Sequence, residues 1–189
     1  MMPTSWSSEH PASPAPSAPV TVSTMVILAG QELTIAPRPM ASGRNGRVMR
    51  EGPFWDLMAG RSARPPAPAL LGWELVSVDP EAGTIEVAFT ATEQFLNSIG
   101  VVQGGLLAAM LDATLGSALL ATLDPGQFAP TTDLHAQFLR PARPGRLTGR
   151  GRVVRRGKDI AFMAGELVDD SGQIVAAATA TAQIRAARP

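Results

Sequence analysis

The sequence predicts an α+β fold in which one long helix is wrapped by an antiparallel sheet of about six strands. Three observations carry that reading. A single apolar run between Asn97 and Leu123, NSIGVVQGGLLAAMLDATLGSALLATL, is long enough for about five helical turns. Segments that alternate apolar and polar residues lie on both sides of it, as half-buried strands do. The last three segments are joined by the short turns RRGKD and DDSG and read as an antiparallel meander.

Taken in order, residues 1–50 open with PASPAPSAPVTVS and continue through PRPMASGRNGR. Too few large apolar groups occur there to repay the entropy of folding, so an extension of the folded domain is expected. The domain itself is expected over residues 51–187. Pro53 to Gly60 has proline at a first helical position, apolar Phe54, Leu57 and Met58, and a closing glycine, which describes a short docked helix. RSARPPAPA follows as a stiff connector. Gly72–Asp79, the turn PEAG and Thr84–Thr90 form a hairpin, with Ile85, Val87 and Phe89 on one face. The long helix stops near Asp124-Pro-Gly126. Four strands are then expected: Thr131–Arg140, with Leu134, Ala136 and Phe138 on one face, then Arg146–Arg156, Ile160–Asp169 and Gln173–Ile184. Gly149, Gly151 and Gly165 keep side chains small where a strand bends or presses on the helix.

Composition excludes several chemistries. Lys+Arg and Asp+Glu are both 16, so net charge points to no nucleic-acid partner. There is no cysteine, which removes disulfides, thiol catalysis and the usual zinc cages. Two histidines, His10 in the extension and His135 in a strand, leave little material for a histidine-based triad. VTVSTMVILAG lacks the basic flank of a signal peptide, and a cytoplasmic location is expected. Val101–Leu123 could span a bilayer by length. It carries Gln103, Asp112, Thr114, Ser117 and Thr122, however, and no membrane association is expected.

The helix reads as apolar all round, and such a helix must be buried on every side. Asp112 lies midway along it. A charged side chain there is costly unless paired, neutralised or used, so Asp112 is expected to be buried and chemically active. Partial exposure or an arginine partner is the other reading. Gly104 and Gly105 open the helix and bare its N–H groups at the positive end of the dipole, where a developing oxyanion could sit. Tight packing of the helix start on a strand would also call for glycine.

Gly104 and Asp112 are eight residues apart, about 12 Å along the axis. One carbonyl cannot use both from a single helix. Joint action therefore requires a second copy whose helix runs antiparallel alongside, and open sheet edges favour such pairing. Asn97 fits a turn or helix cap, or an amide aimed at a substrate carbonyl, and spacing leaves both open. Thr131 and Thr132 read as β-formers and His135 as a solvated strand residue. Arg155, Arg156 and Lys158 form a solvated turn that could also clamp phosphates.

The pattern Asn97-x-x-Gly100-x-x-Gln103-Gly104-Gly105, followed by Asp112, resembles the hotdog-fold acyl-CoA thioesterases of the phenylacetate-pathway, or PaaI-like, type. TTDLHAQFLRPARPG, VVRRGKDIAF and AAATATAQI look like the same family, and the likeness spans about Phe54 to Ile184. The resemblance implies hydrolysis of acyl- or aryl-acyl-CoA without metal or cofactor, in a homodimer or dimer of dimers. By position, Asp112 would be general base or nucleophile, and the Gly104 amide would polarise the thioester carbonyl. Asn97 would orient the thioester or the water, and Thr131 would hold water beside Asp112.

Gln103 and Gly105 would line the substrate site, and Arg156, Gly157 and Lys158 would contact the phosphates of CoA. Phe95, Leu96, Met110 and Leu111 would suit a greasy acyl group. The family usually has His where Gln103 stands. The following amide does the polarising, so activity is expected to survive. The rival reading is a non-catalytic acyl-CoA-binding hotdog protein, acting as a sensor or partner subunit. A dehydratase or isomerase on the same fold would use a histidine absent here.

Overall fold

A computed structural model describes residues 50–186. The expected extension over 1–50 lies outside these residues except for Arg50. That guanidinium pairs with Glu81 and lies 5.7 Å over the ring of Trp55.

Helix α1 (Pro53–Met58) begins on proline as expected and buries Phe54, whose ring meets Trp55 edge-on at 5.0 Å. The connector is not merely extended. Pro66–Leu70 forms a short helix α2 with proline at its first position, where the missing N–H costs nothing. Strands β1 (Glu74–Asp79) and β2 (Thr84–Ala91) form the expected hairpin. A 3-10 turn at Glu93–Phe95 then leads to helix α3 (Gly104–Leu120). Beyond it lie β3 (Gln127–Phe128), β4 (Thr131–Phe138), β5 (Gly145–Arg156), β6 (Ile160–Val168), β7 (Ile174–Gln183) and β8 (Arg185–Ala186). The β3/β8 pair is a small antiparallel addition that the sequence pattern did not announce.

Six strands make one antiparallel sheet in the order β1-β2-β5-β6-β7-β4. Strand β4 leaves α3, crosses to the far side and becomes an edge, with β7 as its one partner among the described residues. The inner face carries Ile85, Val87, Phe89, Leu147, Met163 and Leu167. Leu107, Met110, Leu111, Leu115 and Leu119 of α3 are buried in the same core. Each fully buried leucine contributes about 1.5–3 kcal/mol.

Glycines set how closely helix and sheet approach. A methyl group on Gly149 would lie 2.3 Å from Thr114 Oγ1, and one on Gly165 would lie 2.8 Å from Leu115 Cδ2 of the helix. Thr114, fully buried, satisfies its hydroxyl by donating to the Met110 carbonyl at 2.8 Å. The helix is thus pressed onto β5 and β6 at Thr114–Leu115, which fixes the height of its other face above the sheet.

That other face corrects the expectation of a helix buried on every side. Gly105, Ala109 and Asp112 are exposed, and Ala108, Ala113 and Gly116 are half-buried. Alanine and glycine count as apolar in a composition but have little surface to hide, so a stripe of them can face outward.

Candidate active site

Asp112 stands on this outward stripe. The expectation of a carboxylate submerged among leucines is therefore wrong for the single chain, because the leucines point to the sheet and Asp112 points away. It is not left without a partner. Thr131, the first residue of β4, donates its hydroxyl to Asp112 Oδ1 at 2.8 Å. The second carboxylate oxygen has no hydrogen-bond partner among the described residues.

At the start of α3, the N–H groups of Leu106 and Leu107 both reach the Gln103 carbonyl, at 2.9 and 3.3 Å. The Gly104 and Gly105 N–H groups lie ahead of that first turn and have no acceptor among the described residues. Gln103 caps the helix by backbone only, and its side chain is exposed. The chain enters this point through a tight loop. Asn97 Oδ1 accepts the Ile99 and Val101 N–H groups at 3.0 and 3.3 Å, while the Asn97 N–H donates to the Val101 carbonyl at 2.8 Å. The turn reading of Asn97 is thus realised through its oxygen, and its amide nitrogen stays available. The Gln103 N–H donates to the Phe95 carbonyl and the Val102 N–H to the Ala142 carbonyl, which anchors the loop on both sides.

The two glycines differ. A methyl group on Gly105 would meet nothing within 4 Å, whereas one on Gly104 would lie 3.1 Å from Phe138 Cε2 and 3.2 Å from Cζ. Phe138 is the last residue of β4. The edge strand therefore flanks α3 in the opposite direction, touching Asp112 at its beginning and Gly104 at its end. Sequence reasoning placed Phe138 on the inner face and gave it no functional part. Nothing local in the sequence signals its contact with Gly104.

Other candidates fall elsewhere. Met110 and Leu111 are fully buried in the core and Phe95 nearly so, and only Leu96 of the four residues set aside for an acyl group is half-buried. Arg156 turns inward and closes the far end of α3. Its guanidinium donates to the Thr122 carbonyl at 2.5 Å, to Asp124 Oδ2 at 3.0 Å and to Gln127 Oε1 at 2.9 Å. A cation there also suits the negative end of the helix dipole. Gly157 belongs to the β5–β6 turn, its N–H on the Ile160 carbonyl at 2.8 Å, and Lys158 is exposed beside it. The site residues thus form two groups: Asp112, Thr131, Gly104, Gly105, Gln103 and Asn97 along the outer side of α3, and Arg156, Gly157 and Lys158 at the β5–β6 turn. Among the described residues no cluster of acidic or histidine side chains could hold a metal ion. No helix among them is long and apolar enough to cross a membrane.

Comparison with known proteins bears on the family and the fold. The thioesterase superfamily model matches residues 99–176, from the loop before α3 into β7. A crystal structure of a phenylacetic acid degradation-related protein from Ralstonia eutropha is 43% identical. It covers 69% of this chain and 98% of its own, with a TM-score of 0.67. Human acyl-coenzyme A thioesterase 13 is 30% identical over 104 residues, 54% of this chain and 72% of that protein. The PaaI protein of the Escherichia coli phenylacetic acid degradation operon shares the fold, with 24% identity and a TM-score of 0.63 over 71% of this chain and 94% of its own. The chain belongs to the thioesterase superfamily and is a thioester hydrolase of the hotdog fold.

Proposed function

We propose that the protein hydrolyses acyl-CoA thioesters, aryl-acyl esters included, in a homodimer whose two sites are each built from both chains. The observation that carries this reading is the Thr131–Asp112 hydrogen bond. It holds an outward-facing carboxylate in one orientation, about 12 Å along the helix from two N–H groups without acceptors.

Three features support the two-chain site. Among the described residues nothing pairs with the outer edge of strand β4, which could pair with its own copy. Gly105 and Gly116 lie within α3 with nothing near an added methyl group among the described residues, which therefore give no reason for them. Glycine costs a helix about 1 kcal/mol relative to alanine, and close approach of a second helix supplies that reason. Asp112 with Thr131, and Gly104 with Phe138, also mark two ends of one helix–strand pair. A two-fold axis near Ala108 on the helix, and between Leu134 and His135 on the strand, would exchange those ends. It would bring Asp112 and Thr131 of one chain to Gly104 of the other, and it would bury Asp112. A dimer of dimers would further cover the outward-facing Ile160 and Phe162 of β6.

In this reading the thioester oxygen accepts the Gly104 N–H, with Gly105 beside it. Asp112 takes a proton from water, and the hydroxide attacks the carbonyl carbon. The Gly104 amide holds the oxyanion, whose charge also favours the positive helix end. As the C–S bond breaks, the thiolate leaves and takes the proton back from Asp112, giving free acid and CoA. Asp112 acting as nucleophile through an anhydride is the variant of the same scheme. Asn97 Nδ2 orients the thioester or the water, and Gln103 borders the entrance. Lys158 and Gly157, with Arg156 beside them, would contact the phosphates of CoA, a role that rests on the family likeness.

Release of free thiol from a panel of acyl-CoAs tests the reading. Asp112→Asn keeps an oxygen for Thr131 and should fold normally while losing about 10²–10⁴-fold in kcat. Turnover equal to the unmodified enzyme would refute the role of Asp112.

A further inference from the structure

Phe138 is placed unlike the rest of the inner face. Its neighbours across β7 and along β4, Ala176, Leu134 and Ala136, are buried or half-buried, yet Phe138 is 53% exposed. Its ring stands at the start of α3, against Gly104, beside the two N–H groups that have no acceptor among the described residues. The contact also explains why residue 104 has no side chain: a methyl group 3.1 Å from Cε2 would push the ring off the helix start.

We infer that Phe138 sets acyl selectivity, its ring being the apolar wall along which the acyl chain lies when the carbonyl oxygen is on the Gly104 amide. This rests on the role proposed above for that amide. A carbonyl oxygen about 2.7–3.1 Å from the N–H donor leaves the attached carbons within contact range of a ring packed on the same residue. An acetyl group ends before it can use that surface. A longer or aromatic acyl group covers the exposed half of the ring and gains from its burial. Phe138 is therefore a specificity residue and takes no part in proton transfer.

The test uses the full chain with acetyl-, hexanoyl-, decanoyl- and phenylacetyl-CoA. Phe138→Ala, Phe138→Leu and Phe138→Trp are compared with the unmodified enzyme at a concentration where light scattering gives the same oligomer for all. For Phe138→Ala we expect KM for the three larger esters to rise about tenfold, with kcat and the acetyl-CoA KM within about twofold. Phe138→Leu should fall between. Phe138→Trp should lower KM for acyl groups that still fit, and it keeps the test open if the alanine variant does not fold. A KM change equal for all four esters, or one that follows loss of the oligomer, overturns the inference and makes Phe138 a packing residue only. If the unmodified enzyme releases no thiol from any ester, the acyl-CoA reading itself has failed. If it turns over and Asp112→Asn does not, but Phe138→Ala keeps the original preference, only the selectivity role has failed.

Discussion

Replacing Thr131 by valine removes one hydroxyl and almost no volume, which isolates the contact on which the site depends. Thr131 donates to Asp112 Oδ1 at 2.8 Å across helix and edge strand, 19 residues apart in sequence. A hydrogen bond to a charged group contributes about 1.5–3 kcal/mol. The pair is exposed in the single chain, so the lower end of that range applies before any partner covers it. At about 1.4 kcal/mol per factor of ten, Thr131→Val should lower kcat about tenfold, and a buried pair in the dimer would extend this toward a hundredfold. KM should stay within about twofold, because Thr131 orients the base and not the acyl group. Thr131→Ser keeps the hydroxyl and should restore most of the rate. Thiol release under saturating acyl-CoA reads all three. A valine variant as fast as the parent, beside an inactive Asp112→Asn, would refute the claim that Thr131 holds the catalytic carboxylate.

Three further outcomes follow from the packing. Gly149→Ala places a methyl group 2.3 Å from Thr114 Oγ1 and should cost about 3 kcal/mol in urea unfolding, with part recovered in the Gly149→Ala, Thr114→Ala double variant. Arg156→Met removes the ties to Thr122, Asp124 and Gln127 and should lower stability by about 1–2 kcal/mol, whatever its effect on KM for CoA esters. Asp169 has its carboxyl held below the usual 3.8, first by the Ser171 hydroxyl and then by the Gln173 N–H. Its contribution is present above pH 3.8 and is lost as pH falls through the lower folded value. The Tm gap between parent and Asp169→Ala should therefore be constant near neutrality and close in strong acid.

Much of the fold was legible because β2 and β4 stated their faces by alternation and the turns were marked by Gly, Pro or Asp. Ile85, Val87 and Phe89 point inward as their spacing required, and Gly149, Gly151 and Gly165 lie where the helix presses hardest. The length of α3 was legible, but its orientation was not. Leucines and alanines look alike to a hydrophobic pattern, while only the leucines have enough surface to need the sheet, so the outward stripe with Asp112 was misread as core. Helix α2 was missed because the prolines in RSARPPAPA read as a stiff connector, although Pro66 occupies the first turn, which tolerates it. Within the site, Asp112, Gly104 and Thr131 could be singled out by residue type and by a family resemblance. Phe138 and the inward turn of Arg156 could not, since both depend on contacts 34 residues apart along the chain.

The central claim, that each site takes its carboxylate from one chain and its amide from the other, is tested most directly by mixing two inactive variants. Asp112→Asn removes the base. Gly104→Pro removes the N–H at a helix position that accepts proline, with the exposed Phe138 ring free to yield. Each homodimer should be nearly inactive. After unfolding and refolding together in equal amounts, half the dimers pair one of each, and each of those contains one intact site. The account predicts recovery of about a quarter of the parent's thiol-release rate. A mixture no more active than its components would mean that base and amide act within one chain, and it would contradict the account.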